Sequence, residues 1–548
     1  MMAYDLTLRA LLERAATLFP KKEIISRDYS GTFRYTYGDF YKRVLRLANV
    51  LKDLDLSKGD RVATLAWNHH RHLELYFAVP LSGAVLHTLN LRLAPDQLIY
   101  IINHAEDKAL FVDQDLLPLL ESIRAQLPTV EHVVVMSDTE EIPANSLENP
   151  LSYETLLAAA GENIAFPDLS EWDPAAMCYT TATTGNPKGV VYTHRGLVLH
   201  SYAASIPDSL GLREADRVLP FVPMFHANAW GLPFACTWLG ATQVFPGARP
   251  QAEDICQMIE KHRVTMAAGV PTIWMATYPL WANGQYDPSS LRELVCGGSA
   301  APKSMIRNYR EKLGLSVLHA YGMTETTPVA LVSRPKSSMA DWTEEEKYNI
   351  AAKQGLLVPG LEMKVVREDG LEVPWDGKTM GELLLRGPWI AKEYYKDPVR
   401  SRAAFAGGWL HTGDIVTVDP EGYVAIADRS KDLIKSGGEW ISSLDLENTL
   451  MGHPAVLEAA VIAIPHPKWL ERPLACVVLR PEFAGQVSQE DILDYLKGKV
   501  PKLWLPDRVE FLETIPRTSV GKFYKQALRQ QFSESSAENE NSENNESQ

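Results

Sequence analysis

Short runs of apolar residues alternate along most of the chain with stretches in which apolar residues recur every three or four positions. The first pattern is typical of buried β-strands, and the second of helices that bury one face. Nine such runs predict strands at residues 61–67, 84–90, 109–113, 132–138, 217–224, 241–246, 265–270, 291–298 and 316–322. Because helical stretches follow these runs, we predict an α/β fold in which parallel-type sheets are layered with helices.

Two helices are predicted before the first of these strands. Residues 36–54 place apolar side chains on a single helical stripe. The N-terminal stretch has the same character and ends near Pro20. Arg9, Glu13 and Arg14 interrupt its apolar run, so it is interpreted as an amphipathic helix and not as a signal peptide.

The pattern changes in the C-terminal third of the chain. From about residue 361, strand-like runs alternate with turns and predict a small β unit without helices. Beyond Asp428, three strand-like runs and one helical stretch predict a compact α+β domain. We therefore predict an N-terminal domain at 1–428, a linker at 429–432, a C-terminal domain at 433–532 and a disordered acidic tail at 533–548.

Composition narrows the possible partners and compartment. The formal net charge of −15 argues against nucleic-acid binding, which needs clustered lysine and arginine. The five cysteines are scattered and form no CxxC pair, a pattern typical of reduced thiols in a cytoplasmic protein. Residues 218–248 contain no charged residue, but four prolines interrupt them. This stretch predicts the wall of an apolar pocket and not a transmembrane helix.

Residues 179–194, YTTATTGNPKGVVYTH, carry the most unusual chemistry. Threonine hydroxyls, backbone N–H groups near glycine and a lysine ammonium together form a typical cradle for phosphate. The candidate phosphate-binding residues are Thr180, Thr181, Thr183, Thr184, Gly185 and Lys188. Asn186 and Pro187 separate the lysine from Gly185, so this is not the pattern of P-loop kinases and GTPases.

Four further motifs follow in a fixed order. They are YGMTET at 321–326, WLHTGD at 409–414, DRSKDLIKSGGEW at 428–440 and IPRTSVGK at 515–522. Together with the threonine-rich loop they resemble the adenylate-forming superfamily, over nearly the whole chain. The segments FVPMFHANAWG and KSGGEWISSLDLEN, and the predicted helix at 341–354, resemble the bacterial medium- and long-chain fatty-acyl-CoA synthetases in particular.

This resemblance implies a ligase that works in two steps. A fatty-acid carboxylate attacks the α-phosphate of ATP, which gives acyl-AMP and pyrophosphate, and coenzyme A then displaces AMP. The implied catalytic residues are Lys522, Glu325 and Thr180, of which Thr180 and Glu325 would hold Mg²⁺. The implied ATP and AMP contacts are Thr181, Thr183, Thr184, Gly185, Lys188, Gly298, His319, Ala320, Tyr321, Thr324, Asp414, Arg429, Lys431, Lys435 and Trp440.

The resemblance also implies a moving C-terminal domain. Residues 429–432 become its hinge, with Lys431 at the hinge position, and the domain becomes a small mobile lid that carries Lys522. After adenylation the lid turns and brings Gly437 and Gly438 to the coenzyme A channel. The implied residues of the acyl gate and pocket are His226, Ala227 and Trp230.

One position departs from the family pattern, and two alternatives remain open. Ala182 stands where the family has glycine, and alanine disfavours a positive φ. One alternative is an adenylating enzyme with another acid or a carrier-protein acceptor; the other is a non-catalytic nucleotide sensor. We expect small-molecule substrates (fatty acid, ATP and coenzyme A), no transmembrane segment, a homodimer and a cytoplasmic location.

Overall fold

The computed structural model describes residues 2–180, 186–436, 439–517 and 523–532. The helices are α1 (Leu8–Leu18), α2 (Tyr37–Asp53), α3 (His70–Leu81), α4 (Pro95–Ala105), α5 (Leu117–Ile123), α6 (Tyr153–Ala159), α7 (His194–Ser205), α8 (Ala227–Trp230, a single turn), α9 (Leu232–Leu239), α10 (Ala252–His262), α11 (Pro271–Ala282), α12 (Lys303–Leu313), α13 (Glu344–Ala351), α14 (Pro398–Ala404), α15 (Ser443–Met451), α16 (Gln489–Leu496) and a last helix at 525–532.

The strands before residue 300 are β1 (Glu23–Asp28), β2 (Gly31–Thr36), β3 (Arg61–Leu65), β4 (Val85–Thr88), β5 (Asp107–Asp113), β6 (His132–Met136), β7 (Leu151–Ser152), β8 (Pro174–Tyr179), β9 (Gly189–Thr193), β10 (Arg217–Pro220), β11 (Thr242–Phe245), β12 (Met266–Gly269) and β13 (Glu293–Cys296). The later strands are β14 (Val317–Gly322), β15 (Val329–Val332), β16 (Leu356–Leu357), β17 (Glu362–Val366), β18 (Gly381–Arg386), β19 (Leu410–Val418), β20 (Val424–Arg429), β21 (Ile434–Ser436), β22 (Glu439–Ile441), β23 (Val456–His466), β24 (Leu470–Leu479) and β25 (Arg508–Phe511).

The chain divides into two compact units, and the first comprises Met1–Met363 and Leu385–Leu410. It contains a nine-stranded sheet of order β16-β15-β14-β13-β12-β10-β11-β1-β2 and a seven-stranded sheet of order β7-β6-β5-β3-β4-β8-β9. The inner strands are parallel. Antiparallel strands close both edges of the nine-stranded sheet and the β9 edge of the seven-stranded sheet, whereas β7 at its other edge is parallel to β6. The predicted α/β fold and all nine predicted strands are confirmed.

Each large sheet buries apolar side chains beneath helices. Trp274 and Tyr309, on α11 and α12, belong to a core against the nine-stranded sheet, and α4 and α5 cover the seven-stranded sheet. The uncharged segment 218–248 folds into β10, α8, α9 and β11. Among the described residues, no helix combines the length and apolar character needed to cross a membrane.

Local sequence signals explain several helix ends. Thr343 Oγ1 accepts a hydrogen bond from the Glu346 N–H, and the Glu346 carboxylate accepts from the Thr343 N–H at 2.8 Å. This reciprocal capping box starts α13 as predicted. The prediction that no helix occurs between residue 361 and Asp428 is wrong, because α14 forms at Pro398–Ala404. Asp397 caps this helix, and a proline in the first turn is compatible with helix geometry.

The second unit comprises Lys364–Leu384 and His411–Gln548. Its long strands β23 and β24 pair antiparallel in a five-stranded sheet with β21, β22 and β25, and helices α15 and α16 contribute to its core. Strands β17 to β20 form a separate four-stranded sheet. The predicted small α+β domain is therefore confirmed, while the hinge at 429–432 concerns a movement and stays a prediction. The predicted disordered tail at 533–548 lies outside the described residues.

Candidate active site

Two antiparallel strands hold the ends of the threonine-rich loop. Tyr179 at the end of β8 pairs with Gly189 at the start of β9. The Thr180 N–H donates to the Lys188 carbonyl at 2.9 Å, so these two candidate residues face each other at the base of the loop. Five residues of the loop lie outside the described part of the chain: Thr181, Ala182, Thr183, Thr184 and Gly185.

A tyrosine joins the lysine of the loop to the candidate carboxylate. Lys188 Nζ donates to the Tyr394 hydroxyl at 2.8 Å, and that hydroxyl donates to Glu325 Oε1 at 2.7 Å. Lys188 Nζ lies 3.8 Å from Glu325 Oε1, and 4.1 Å from the centroid of the Tyr394 ring. Glu325 and Tyr394 are each only 4% exposed. The structure therefore brings Lys188 and Glu325 together through a buried phenol.

Tyr394 is a candidate functional residue that the sequence analysis missed. It lies between β18 and α14, in a segment without a recognised motif, and the only local signal is a pair of tyrosines within the charged run KEYYKD. Burial, followed by the nearby Glu325 carboxylate, raises the pKa of Tyr394 well above its ordinary value. The phenol therefore stays protonated at neutral pH and can donate to Glu325.

The candidate adenine wall lies at the carboxyl ends of β13 and β14. Gly298 has a φ of +80°, which favours glycine. His319 donates from Nδ1 to the Ala352 carbonyl at 3.1 Å, and burial lowers the pKa of this histidine, so its ring is neutral at pH 7. Ala320 and Tyr321 follow it on β14 and are both buried.

Thr324 follows the adenine wall in the sequence, and a hydrogen bond to its backbone carbonyl holds it in place. Its carbonyl accepts a hydrogen bond from the Tyr192 hydroxyl at 2.9 Å, and Tyr192 belongs to β9, beyond the threonine-rich loop. Thr324 itself is 7% exposed. The loop strand and the 321–326 motif are thus physically joined, as expected for parts of one nucleotide site.

The candidate acyl gate is built on a left-handed turn. Residues Ala227 to Trp230 have φ values of 43°, 52°, 49° and 57°. A left-handed conformation typically costs about 1–2 kcal/mol per residue other than glycine. A Cβ at Gly297 would lie 3.0 Å from Trp230 Cη2 and 2.7 Å from the Ala320 carbonyl, so the indole packs against the adenine wall. His226 precedes the turn and is partly buried.

The strain in this turn predicts an unusual response to glycine. Ala229 and Ala235 are both fully buried, but Ala229 has a φ of +49° whereas Ala235 lies within helix α9. Ala235→Gly should lose a buried methyl group and helix propensity. Ala229→Gly should lose the same methyl group but relieve the left-handed strain, and so be less destabilising by about 1–3 kcal/mol. Denaturant unfolding of the two variants side by side measures this difference, and equal destabilisation would contradict the left-handed turn.

The second unit holds its described candidate residues on two pairs of strands and in the turn between them. Asp414 on β19 is opposite Arg429 on β20, and Arg429 Nε lies 2.6 Å from Asp414 Oδ1. Lys435 on β21 is opposite Trp440 on β22, with Nζ 5.7 Å from the indole centroid. Lys431 lies in the turn after β20. Gly437, Gly438 and Lys522 lie outside the described residues.

The first unit has the groups that phosphate chemistry needs. The Lys188 ammonium suits phosphate oxygens, while the Glu325 carboxylate and Thr180 hydroxyl are hard oxygen donors of the kind that Mg²⁺ prefers. The described residues contain no cluster of three or more His, Cys, Asp or Glu side chains suited to a metal. Two protein donors fit an ion that takes its other ligands from phosphate and water.

Comparisons with known proteins agree with this assignment. The model of the AMP-binding enzyme family matches residues 12–395, and the model of the AMP-binding enzyme C-terminal domain matches residues 445–522. The long-chain-fatty-acid–CoA ligase of Thermus thermophilus is 51% identical, covering 97% of this chain and 96% of the relative. The 3-methylmercaptopropionyl-CoA ligase of Ruegeria pomeroyi is 42% identical, covering 97% and 98%. A crystal structure of the anthranilate CoA ligase AuaEII with anthranoyl-AMP is similar, with a TM-score of 0.86, 29% identity, and coverage of 98% and 99%.

Proposed function

The chain belongs to the AMP-binding enzyme family, and we propose that it is an AMP-forming ligase that joins a medium- or long-chain fatty acid to coenzyme A. The observation that carries this proposal is the high identity, along nearly the whole chain, with a long-chain-fatty-acid–CoA ligase. The pairing of Lys188 with Glu325 at the base of the threonine-rich loop supports it independently, because it supplies the charges that nucleotide chemistry requires.

The reaction proceeds in two displacements. A fatty-acid carboxylate oxygen attacks the α-phosphorus of ATP, and the bond to the bridging oxygen breaks, so that pyrophosphate leaves and acyl-AMP remains. The thiolate of coenzyme A then attacks the acyl carbon, and AMP leaves. Charge develops on phosphate oxygens in the first step, so fixed cations and hydrogen-bond donors near them lower the barrier.

The residues of the first unit take defined roles in this proposal. Lys188 binds the β- and γ-phosphates, and Tyr321 stacks on adenine. Thr324 contacts the α-phosphate. Thr180 and Glu325 would hold Mg²⁺, which supplies positive charge to the phosphate oxygens when it is bound.

The second unit contributes the ribose contact and the lid. Asp414 accepts hydrogen bonds from the ribose hydroxyls, and Arg429, which forms an ion pair with Asp414, holds that carboxylate in position. Lys522 bridges the acyl carboxylate and the α-phosphate during adenylation and leaves with the lid before coenzyme A binds. Gly437 and Gly438 then line the channel for the pantetheine arm. We also propose that the enzyme is a homodimer and acts in the cytoplasm.

The test measures nucleotide turnover with and without the acceptor. The purified protein is incubated with ATP, Mg²⁺ and octanoate or palmitate, and pyrophosphate, AMP and acyl-CoA are quantified. We expect AMP and acyl-CoA to form in equal amounts only when coenzyme A is present. Pyrophosphate release without any thioester would indicate another acceptor, and no turnover of ATP would favour a nucleotide sensor.

Chain-length preference gives a further prediction about the acyl pocket. Each methylene that enters an apolar tunnel contributes about 0.8 kcal/mol, which is roughly fourfold in affinity. The apparent KM for saturated acids should therefore fall with length until the tunnel is full, and then level off or rise. A series of acids from two to eighteen carbons, with 3-methylmercaptopropionate included, tests this by AMP release. Trp230→Ala should flatten the profile more than it alters the KM for ATP, and best activity with acetate or an aromatic acid would contradict the fatty-acid proposal.

A further inference from the structure

The hydroxyl group of Tyr394 lies between the Lys188 ammonium and the Glu325 carboxylate. In the proposed function the ammonium would bind phosphate, and the carboxylate would bind Mg²⁺. The hydroxyl accepts from Lys188 Nζ at 2.8 Å and donates to Glu325 Oε1 at 2.7 Å. The two charged atoms themselves are 3.8 Å apart, which is longer than a direct hydrogen bond. Both Tyr394 and Glu325 are buried, so water does not readily replace the phenol.

The backbone around Tyr394 fixes this hydroxyl relative to the threonine-rich loop. Tyr394 forms an isolated antiparallel bridge with Val190, and the next residue, Tyr395, donates its N–H to the Gly189 carbonyl at 2.8 Å. A little further along, Arg400 Nη1 donates to the Asn186 carbonyl at 2.8 Å. The segment 394–400 therefore contacts the backbone of residues 186–190, on the C-terminal side of the loop, at three positions.

The backbone of Glu325 is held by the same segment. The Ala391 N–H donates to the Glu325 carbonyl at 2.8 Å, three residues before Tyr394. Residues 391–400 thus contact both the backbone of Glu325 and the loop strand β9. The phenol that joins Lys188 to Glu325 is held by the same segment, and its position is set by the backbone and not by the two charges alone.

We propose that Tyr394 is a positioning residue that keeps the Lys188 ammonium and the Glu325 carboxylate apart, ready for nucleotide. Without the hydroxyl, the two charges would close the 3.8 Å gap and form a direct ion pair at a partly buried site, where such pairs are stronger than in water. A nucleotide would then have to break that ion pair before Lys188 could bind phosphate and Glu325 could bind Mg²⁺. With the hydroxyl present, the nucleotide displaces weaker, phenol-mediated contacts. This inference rests on the proposed function in that it takes ATP as the ligand.

Tyr394→Phe removes only the hydroxyl oxygen, and Tyr395→Phe is its matched control. The Tyr395 ring packs at 5.7 Å from the His104 ring. The probe is α,β-methylene-ATP with Mg²⁺, whose α–β bond cannot be cleaved, titrated by calorimetry without fatty acid or coenzyme A. We expect the Kd of Tyr394→Phe to rise about tenfold, as for a lost hydrogen bond to a charged group, and the Kd of Tyr395→Phe to stay within twofold of the unsubstituted protein.

A second measurement separates positioning from a purely structural role. If the hydroxyl acts by restraining Lys188, then Tyr394→Phe made on a Lys188→Met background should change the Kd by less than twofold, because no ammonium remains to pair with Glu325. In steady-state assays Tyr394→Phe should raise the KM for ATP about tenfold, with kcat and the KM for the fatty acid nearly unchanged. The conversion of supplied acyl-AMP and coenzyme A to thioester should keep its rate.

Two outcomes would overturn the proposal. The first is an unchanged or tighter Kd for Tyr394→Phe, and the second is the same tenfold loss on the Lys188→Met background. An unchanged Kd together with a lowered melting temperature of Tyr394→Phe would make the residue purely structural. A failure of the unsubstituted protein to bind the probe would instead contradict the proposed function, so the two failures are distinguishable.

Discussion

Lys522→Ala is expected to slow acyl-AMP formation about 10²–10³-fold, which corresponds to roughly 3–4 kcal/mol of lost transition-state stabilisation. The match to the C-terminal family model ends at this residue, and the resemblance assigns it to the bridge between the acyl carboxylate and the α-phosphate. In that implied role, a positive charge stabilises the transition state of the first step only. Supplied acyl-AMP should therefore still react with coenzyme A at nearly the normal rate.

The two half-reactions have to be measured separately. Adenylation is followed by fatty-acid-dependent exchange of labelled pyrophosphate into ATP, and thioester formation is followed from synthetic acyl-AMP. Lys502→Ala is the matched control, because Lys502 is an exposed lysine of the same unit. It should leave both rates unchanged. A loss of equal size in both half-reactions of Lys522→Ala would show that the lysine does not act in adenylation alone.

Lys525, a largely buried lysine three positions beyond Lys522, predicts the largest effect on stability. Lys525 Nζ lies 2.6 Å from Glu447 Oε1 and donates to Ser443 Oγ at 2.5 Å. Burial by itself lowers the pKa of Lys525, but the attraction of Glu447, Asp428 and Asp432 outweighs it and raises the pKa overall. The lysine is therefore charged and balances carboxylates inside the second unit.

Lys525→Met should destabilise the second unit by about 3–5 kcal/mol, because it leaves the Glu447 carboxylate buried without its cation. Native-state hydrogen exchange in β23 and β24 measures this locally, and exchange there should become about 10²–10⁴-fold faster. Lys497→Met is the matched control, since Lys497 and its partner Asp494 are more than half exposed. It should change the stability by less than about 1 kcal/mol.

The destabilisation should depend on pH in a defined direction. Burial already raises the pKa of Glu447, and the loss of Lys525 should raise it further. A carboxyl whose folded-state pKa lies above its unfolded value favours the folded state below that unfolded value and loses this contribution as pH rises. Lys525→Met should therefore be less harmful near pH 5 than near pH 8, and adding Glu447→Gln should restore part of the stability. Equal exchange rates in Lys525→Met and Lys497→Met at pH 8 would contradict the buried ion pair.

The sequence was sufficient for the fold class and for much of the candidate site. Strand and helix periodicities are local, so the nine strands and the α+β domain could be predicted without knowledge of any long-range contact. Thr180, Lys188 and Glu325 could likewise be chosen, because each lies in a motif with distinctive chemistry. The one helix missed in the β region, α14, has Asp397 and Pro398 at its start, and it is too short to show a clear apolar period.

Only the tertiary structure decided how these groups are held. Tyr394 is 206 residues from Lys188 and 69 from Glu325, and Lys525 is 82 residues from Ser443, so no local pattern connects them. The left-handed turn before Gly231 is also invisible in the sequence, because surrounding packing and not intrinsic preference keeps alanine and tryptophan at positive φ. Sequence periodicity reports which face of an element is buried. Which distant side chain fills the space beside a charge depends on how the whole chain packs.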